Sequence, residues 1–272
     1  MSIDKVGLYL LLFTSLGWSI SGVIIKTVDM EALPIAFYRS VIAALFIGLI
    51  SIRRGPYKAT VGGFYTACAY SVAVILLVVS TKATTAANAI ILQYAAPAFV
   101  YVLAIPLLGE YPRRKDWWVL ISTMVGVGCI FSQGNAGSIA GIGYGLASGV
   151  GFALLTVLLR RYQQSDPLQT IAFNNAIVAL LLLPWVWSDL HLSPRDTLLM
   201  LIMGIVQLGG PYVMFAFALR RVVARDAALI SLLEPLLNPI WVYFFVGELP
   251  ELMTFIGGGF IMGGLVLRFL LR

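Results

Sequence analysis

A carboxylate inside an apolar run is the first residue in this sequence whose position calls for chemistry. Glu234 lies in SLLEPLLNPIWVYFFVGELP (231–250), between Ser231 and the two prolines Pro235 and Pro239. A charge at the centre of a membrane helix costs about 2.5–3.5 kcal/mol on insertion scales. Each proline lacks an amide hydrogen, so a carbonyl one turn earlier loses its partner. Such carbonyls are tolerated at membrane depth only against protein or a water-filled cavity. Glu234 therefore has two readings. It faces a cavity, where it binds an amine or takes up a proton, or its carboxyl group is satisfied by neighbouring hydroxyls and amides. Asn238, four residues on, shares its helical face.

Arg39 carries the opposite charge, about five residues into another apolar run and so roughly 7–8 Å from that run's end at 1.5 Å per residue. It would attract a carboxylate or phosphate from a cavity, or snorkel to the interface, or pair with Glu31 or another carboxylate. Uncharged polar residues recur at similar depth: Asn88, Gln93 and Tyr94 in one run, Asn174 and Asn175 in a second, Gln207 in a third. Singly, such groups serve as hydrogen-bonding glue between helices; together they suggest a polar centre. Trp18, Tyr38, Tyr70, Tyr212 and Trp241 are deep aromatics that either line a pocket or pack the core. The candidate substrate-binding set is thus Trp18, Tyr38, Arg39, Tyr70, Asn88, Gln93, Tyr94, Asn174, Gln207, Tyr212, Glu234, Asn238 and Trp241, with Glu234 also the candidate coupling or proton site.

The elements that must position these residues follow from composition. The 272 residues are 60% hydrophobic and 11% charged, with mean hydropathy +0.96, far from the balance of a soluble domain. Charges cluster between apolar runs of roughly 20 residues, the length that spans a bilayer core. The fold class is an all-α, multi-pass membrane protein with ten expected transmembrane helices at 6–27, 34–52, 60–80, 85–108, 116–133, 139–159, 167–187, 196–219, 226–246 and 252–270. The first run is too long for a signal-peptide core and reads as an uncleaved helix. Short polar connections such as 53–58, 109–116, 133–138 and 188–194 join the helices. Trp117, Trp118, Trp185 and Trp187 suit interfacial anchors.

The net charge of +6 is explained by topology rather than by nucleic acid. With the N-terminus inside, Lys5, Arg53, Arg54, Lys58, Arg113, Arg114, Lys115, Arg160, Arg161, Arg220, Arg221, Arg225, Arg268 and Arg272 are cytoplasmic, against Lys26, Lys82 and Arg195 outside. Positive charge collects in cytoplasmic loops, so both termini are expected there. The two cysteines, Cys68 and Cys129, have no metal spacing, and no cofactor or metal is expected. One histidine, His191, no nucleophile–base pair and no GxxxxGK[ST] loop argue against an enzyme or an ATP-driven pump.

The chain also repeats itself. YAAPAFVYVLAIPLLGEYP around Pro97 aligns without a gap on the Glu234 segment: Pro97 matches Pro235 (235 − 97 = 138), and Gly109, Glu110 and Pro112 match Gly247, Glu248 and Pro250. Met124 and Gly126 fall on Met262 and Gly264 at the same offset. FYRSVIAAL (37–45) resembles AFNNAIVAL (172–180), and Gly17 and Lys26 correspond to Gly151 and Arg160. Two five-helix halves are expected, 1–133 and 139–272. Because five is odd, the second enters the membrane from the opposite side. Inverted repeats of this kind build many secondary transporters, with the substrate site near midplane between the halves.

The paired Pro…Gly-Glu segments, the FYRSVIAAL stretch and the five-plus-five layout resemble the drug/metabolite transporter superfamily, in its EamA-type ten-helix branch, over nearly the whole chain. The resemblance implies a bacterial inner-membrane carrier of small metabolites, often an exporter of amino acids or related compounds. The charges suit a zwitterion, with Arg39 for its carboxylate and Glu234 for its amine. An anionic, phosphorylated or lipid-linked substrate, or a non-transporting receptor or enzyme, are the alternatives. The expected partners are a small-molecule substrate and the lipid bilayer, with no nucleic acid, in a monomer or homodimer.

Overall fold

The computed structural model of the protein describes residues 4–55, 57–132, 138–162, 166–187, 191–222 and 224–270. Arg272, residues 133–137 and 188–190 of two connections, and the side chains of Lys115 and Arg225 lie outside the described residues. Those described build an all-helical molecule. Eight helical runs are long and apolar enough to cross a membrane: Lys5–Thr27, Ala32–Arg54, Val61–Ala83, Ala86–Leu108, Ile139–Tyr162, Pro167–Val186, Pro194–Ala218 and Asp226–Val246. Two more apolar helices, Trp117–Phe131 and Leu252–Arg268, are shorter. Large apolar side chains such as Leu45, Leu49, Val102, Phe244 and Phe245 are exposed on the outside, as are Trp117, Trp118, Trp185 and Trp187. A bilayer is the solvent that suits such a surface.

Within the runs the helices are α1 (Lys5–Ser19), α2 (Ser21–Thr27), α3 (Ala32–Ser51), α4 (Val61–Ala83), α5 (Ala86–Gln93), α6 (Ala96–Leu108), α7 (Trp117–Phe131), α8 (Ile139–Tyr162), α9 (Pro167–Val186), α10 (Pro194–Leu201), α11 (Gly210–Ala218), α12 (Ala224–Ser231), α13 (Leu233–Val246) and α14 (Leu252–Leu270), with a π-helical segment Ile202–Gly209 between α10 and α11. Their starts are capped as the sequence dictates. Asp4, Thr60, Thr85, Asp166 and Ser193 each accept hydrogen bonds from amides of the following first turn, replacing partners that a helix start lacks. Asp166 also pairs with Arg54 at 2.8 Å, tying the start of α9 to the end of α3.

Four runs are interrupted, and the interruptions have chemical causes. Pro97 cannot donate to the Gln93 carbonyl, and the chain breaks between α5 and α6 at Tyr94 and Ala95, where Ala95 bonds Leu92 and Ala98 bonds Ala95 in tighter three-residue steps. Pro235 cannot donate to the Ser231 carbonyl, and the chain breaks between α12 and α13 at Leu232, whose amide bonds Leu229. Pro211 deprives Gln207, and the preceding segment is wound as a π-helix in which Gly210 donates to Ile205 five residues back. Wide turns of this type are concentrated at functional sites. This π-helical segment runs directly into Gly209-Gly210-Pro211. The first run breaks at Ile20, between α1 and α2.

Matched features sit at matched positions. Gly109 and Gly247 both end their helices in the left-handed conformation, φ +70° and +77°, which a side chain would strain. The breaks at Tyr94 and Leu232 fall at the same offset. Glu248 pairs with Lys26 at 2.7 Å, and its counterpart Glu110 pairs with Arg160, the counterpart of Lys26, at 2.6 Å. The first pair is largely buried, with side chains 17% and 19% exposed; the second is open, at 67% and 45%. Glu248 also accepts from the Ala86 amide, and Lys26 donates to the Thr84 carbonyl. The two glutamates thus tie helix ends together.

The shorter helices α7 and α14 pack antiparallel, with Gly126 against Gly257 and Trp118 and Ser122 against Gly264. A Cβ on Gly126 would lie 2.5 Å from the Gly257 carbonyl oxygen and 2.7 Å from Ile261 Cγ1, whereas one on Gly128 would meet nothing within 4 Å. Gly126→Leu is expected to destabilise the protein by about 1–3 kcal/mol, the usual cost of overpacking, and to lower its melting temperature in detergent, while Gly128→Leu leaves it unchanged. Equal melting of the two variants would show that this crossing does not hold the fold together.

Candidate functional site

The interrupted helices meet around a cavity of about 340 Å³. Its lining brings together Trp18 of α1, Ser21 of α2, Arg39 of α3, Tyr70 of α4, Gln93 and Tyr94 at the α5 break, Phe152 of α8, Gln207 of the π segment, Tyr212 and Phe215 of α11, Ser231 of α12 and Glu234 of α13. Eight of the thirteen residues singled out from sequence therefore share one space. A break in a helix turns its neighbouring side chains and carbonyls inward at a depth where a continuous helix would present only an apolar face.

Arg39 is the residue the structure clarifies most. It is 3% exposed, so its head does not snorkel to an interface. Among the described residues it forms no ion pair, with Glu31 or any other carboxylate. Its Nε and Nη1 have no hydrogen-bond partner. The groups near enough to act on its charge are the Tyr70 hydroxyl, which is also within hydrogen-bonding reach, Tyr212 and Glu234. Two more lining groups are likewise buried without a partner, Trp18 Nε1 and Gln207 Oε1. Buried polar atoms are almost always satisfied in native proteins, so unpartnered atoms on residues that line a cavity mark where water or a ligand belongs.

Glu234 occupies the first turn of α13, where free amides favour a negative charge. Tyr94 Oη lies 2.8 Å from Glu234 Oε2 and 3.0 Å from the Ser231 carbonyl. That single hydroxyl bridges the break in one helix to the break in the other. Tyr70 is held by Asn175, whose amide donates to the Tyr70 oxygen at 3.1 Å and to the Ile171 carbonyl at 2.9 Å. Gln93 donates to Ser148, which donates to the Ala73 carbonyl, fixing the α5 end against α8 and α4. Trp18 packs edge-on to Tyr212 with centroids 5.2 Å apart and against Phe215 at 5.3 Å.

The other five candidates lie off the cavity. Asn238 donates to the Ser19 carbonyl and the Ser21 hydroxyl, and Trp241 donates to Ser19 Oγ. Both clamp the Ile20 break from α13, so Asn238 serves structure although it shares a helical face with Glu234. Asn88 accepts from Thr254 at 2.7 Å and donates to Thr84, linking α5 to α14. Asn174 is buried on α9, and Tyr38 sets its ring edge-on to Phe37. Sequence reasoning missed Ser21, Phe152, Phe215 and Ser231. Phe215 and Ser231 had a signal, since each stands three residues from a chosen site residue, Tyr212 and Glu234; Phe152 had none.

Comparison with known proteins places this geometry. The model of the EamA-like transporter family matches residues 5–132 and 139–270. The chain belongs to the EamA-like transporter family. It is 27% identical over 278 residues to the pseudopaline exporter CntI of Pseudomonas aeruginosa, covering 95% of this chain and 94% of that one. It is 26% identical over 267 residues to a transporter of Archaeoglobus fulgidus, covering 90% and 89%. A crystal structure 17% identical shares the fold with TM-score 0.69 over 99% of this chain and 98% of its own. This EamA-like protein is thus a multi-pass membrane transporter, and its central cavity is the candidate for the site where a small molecule is carried.

A guanidinium kept for folding would be paired. Arg39→Met is therefore expected to leave the melting temperature in detergent unchanged or raised, since it removes a buried charge whose insertion costs up to about 2.5–3.5 kcal/mol. A drop of several degrees would show that Arg39 is held in place by partners and serves the fold.

Proposed function

We propose that this protein is a secondary transporter that exports a small zwitterionic metabolite, with amino acids the favoured class, across the bacterial inner membrane. The observation that supports this most strongly is the pair of opposite charges, Arg39 and Glu234, lining one cavity without pairing to each other. A carboxylate that reaches Arg39 Nε and Nη1 meets two donors that have no partner. An ammonium group finds Glu234 across the same space. Charge-assisted hydrogen bonds of this kind are the strong ones. Among the described residues that line the cavity, Arg39 is the sole cation, which favours one carboxylate over a phosphorylated or multiply anionic substrate. Pseudopaline export by a relative favours the outward direction.

The carrier works by alternating access through ten crossings, in two inverted five-helix halves, 1–133 and 139–272, with both termini cytoplasmic. The matched breaks at Tyr94 and Leu232, the matched left-handed glycines and the crossed ion pairs Lys26–Glu248 and Arg160–Glu110 support the inverted arrangement. One member of this related pair of contacts is buried and the other open, the asymmetry expected when one end of such a carrier is closed.

Glu234 is proposed as the proton site as well as the amine site. A counterflow and uptake screen of labelled amino acids in proteoliposomes, with and without a pH gradient, tests both roles. Saturable flux of at least one amino acid is expected, and none would refute the substrate class. Glu234→Gln is expected to reduce that flux at least tenfold, in line with loss of a charged hydrogen bond of about 1.5–3 kcal/mol, and to abolish its response to the gradient. An unchanged gradient response would remove Glu234 from coupling.

A further inference from the structure

We propose that the Tyr94 hydroxyl is a proton-linked selector joining the two broken helices: it donates to Glu234 when that carboxyl group is ionised, and to the Ser231 carbonyl when Glu234 is protonated. The inference rests on the reading of Glu234 as the proton site and gives that site a mechanical output.

The geometry is specific. Tyr94 Oη has Glu234 Oε2 at 2.8 Å and the Ser231 carbonyl oxygen at 3.0 Å, both within hydrogen-bond range. A phenol has one hydrogen and two acceptor lone pairs, so it can serve only one of these acceptors fully at a time. The Ser231 carbonyl needs an outside donor, because its helical partner four residues on is Pro235, which has no amide hydrogen. Tyr94 itself sits at the other break, where Pro97 ends the helical ladder of α5. One hydroxyl thus reaches from the proline break of one half to the proline break of the other.

The carboxyl group decides which acceptor wins. As a carboxylate, Glu234 can only accept, and it is the stronger acceptor, so it takes the Tyr94 hydrogen and leaves the Ser231 carbonyl poorly bonded. When a proton from water in the cavity binds Glu234, the carboxylic acid becomes a donor to Tyr94 Oη. The Tyr94 hydrogen then turns to the Ser231 carbonyl, and the chain of bonds runs Glu234 to Tyr94 to Ser231. Protonation therefore strengthens the seam between the breaks, and deprotonation or an arriving ammonium group redistributes it. The other charged or titratable groups facing this carboxyl group are Arg39 of α3, Tyr70 of α4 and Tyr212 of α11. Among the described residues, Tyr94 alone hydrogen-bonds Glu234.

Infrared difference spectra of the whole protein in lipid, recorded between acidic and alkaline buffer without substrate, test this directly. The wild type is expected to show a carboxylic C=O band and a tyrosine C–O band that rise together. Glu234→Gln should lose both. Tyr94→Phe should lose the tyrosine component and shift the carboxylic band to higher frequency, because its hydrogen bond is gone. Pro235→Ala supplies an amide that competes for the Ser231 carbonyl; its tyrosine component should fall at least twofold while the carboxylic band remains. If Glu234→Gln removes the carboxylic band but Tyr94→Phe changes neither band, the selector is overturned and the proton site stands. If Glu234→Gln removes no band, Glu234 does not titrate and the selector falls with the coupling role. Should Tyr94→Phe not fold, the Pro235→Ala spectrum decides: a tyrosine band equal to that of the wild type overturns the selector.

Discussion

Arg39 and Glu234 line the same cavity without forming an ion pair, and much of the surrounding structure is arranged to hold them apart. Two unit charges in an interior of low dielectric attract strongly, so helices free to shift would collapse onto the pair and close the space. The packing prevents it. Arg39 is fixed on α3, against which the π segment packs closely at Gly204. Glu234 is fixed at the start of α13 and engaged by Tyr94. Under the proposed zwitterion reading, the free energy of burying a guanidinium without a carboxylate partner is retained in the empty carrier and becomes available to a substrate that brings its own carboxylate.

Prolines create this arrangement through what they lack. Pro97, Pro235 and Pro211 each remove one backbone donor, and the chain answers with two breaks and a π-helical stretch. One orphaned group is then satisfied by a side chain from another helix: Tyr94 reaches the Ser231 carbonyl at 3.0 Å. In the alternating access proposed for this carrier, such contacts run between helices that move relative to one another. A continuous helix would satisfy its own backbone and need no such links.

The sequence made the scaffold legible and left the division of labour within it unclear. Apolar run length and charge clusters marked the helices, and the offset alignment paired Gly109 with Gly247, which the structure shows in the same left-handed conformation. Glu234 and Arg39 stood out because charges in apolar runs are costly, and both reached the cavity. The neutral polar residues could not be sorted in the same way. Asn238 and Glu234 lie one turn apart on one helix, yet one clamps the Ile20 break and the other faces the cavity. That distinction depends on the break in the partner helix, which no periodicity in the sequence marks. Phe152 went unnoticed because an aromatic in an apolar run carries no polar signal.

The most direct measurement is counterflow in proteoliposomes with a matched set of ligands. The set is an amino acid found to exchange, its amide derivative, which lacks the carboxylate, and its N-acetyl derivative, which lacks the ammonium group. The wild type is expected to exchange the intact zwitterion and neither analogue. Exchange of both analogues at the rate of the zwitterion would contradict recognition by the Arg39–Glu234 pair.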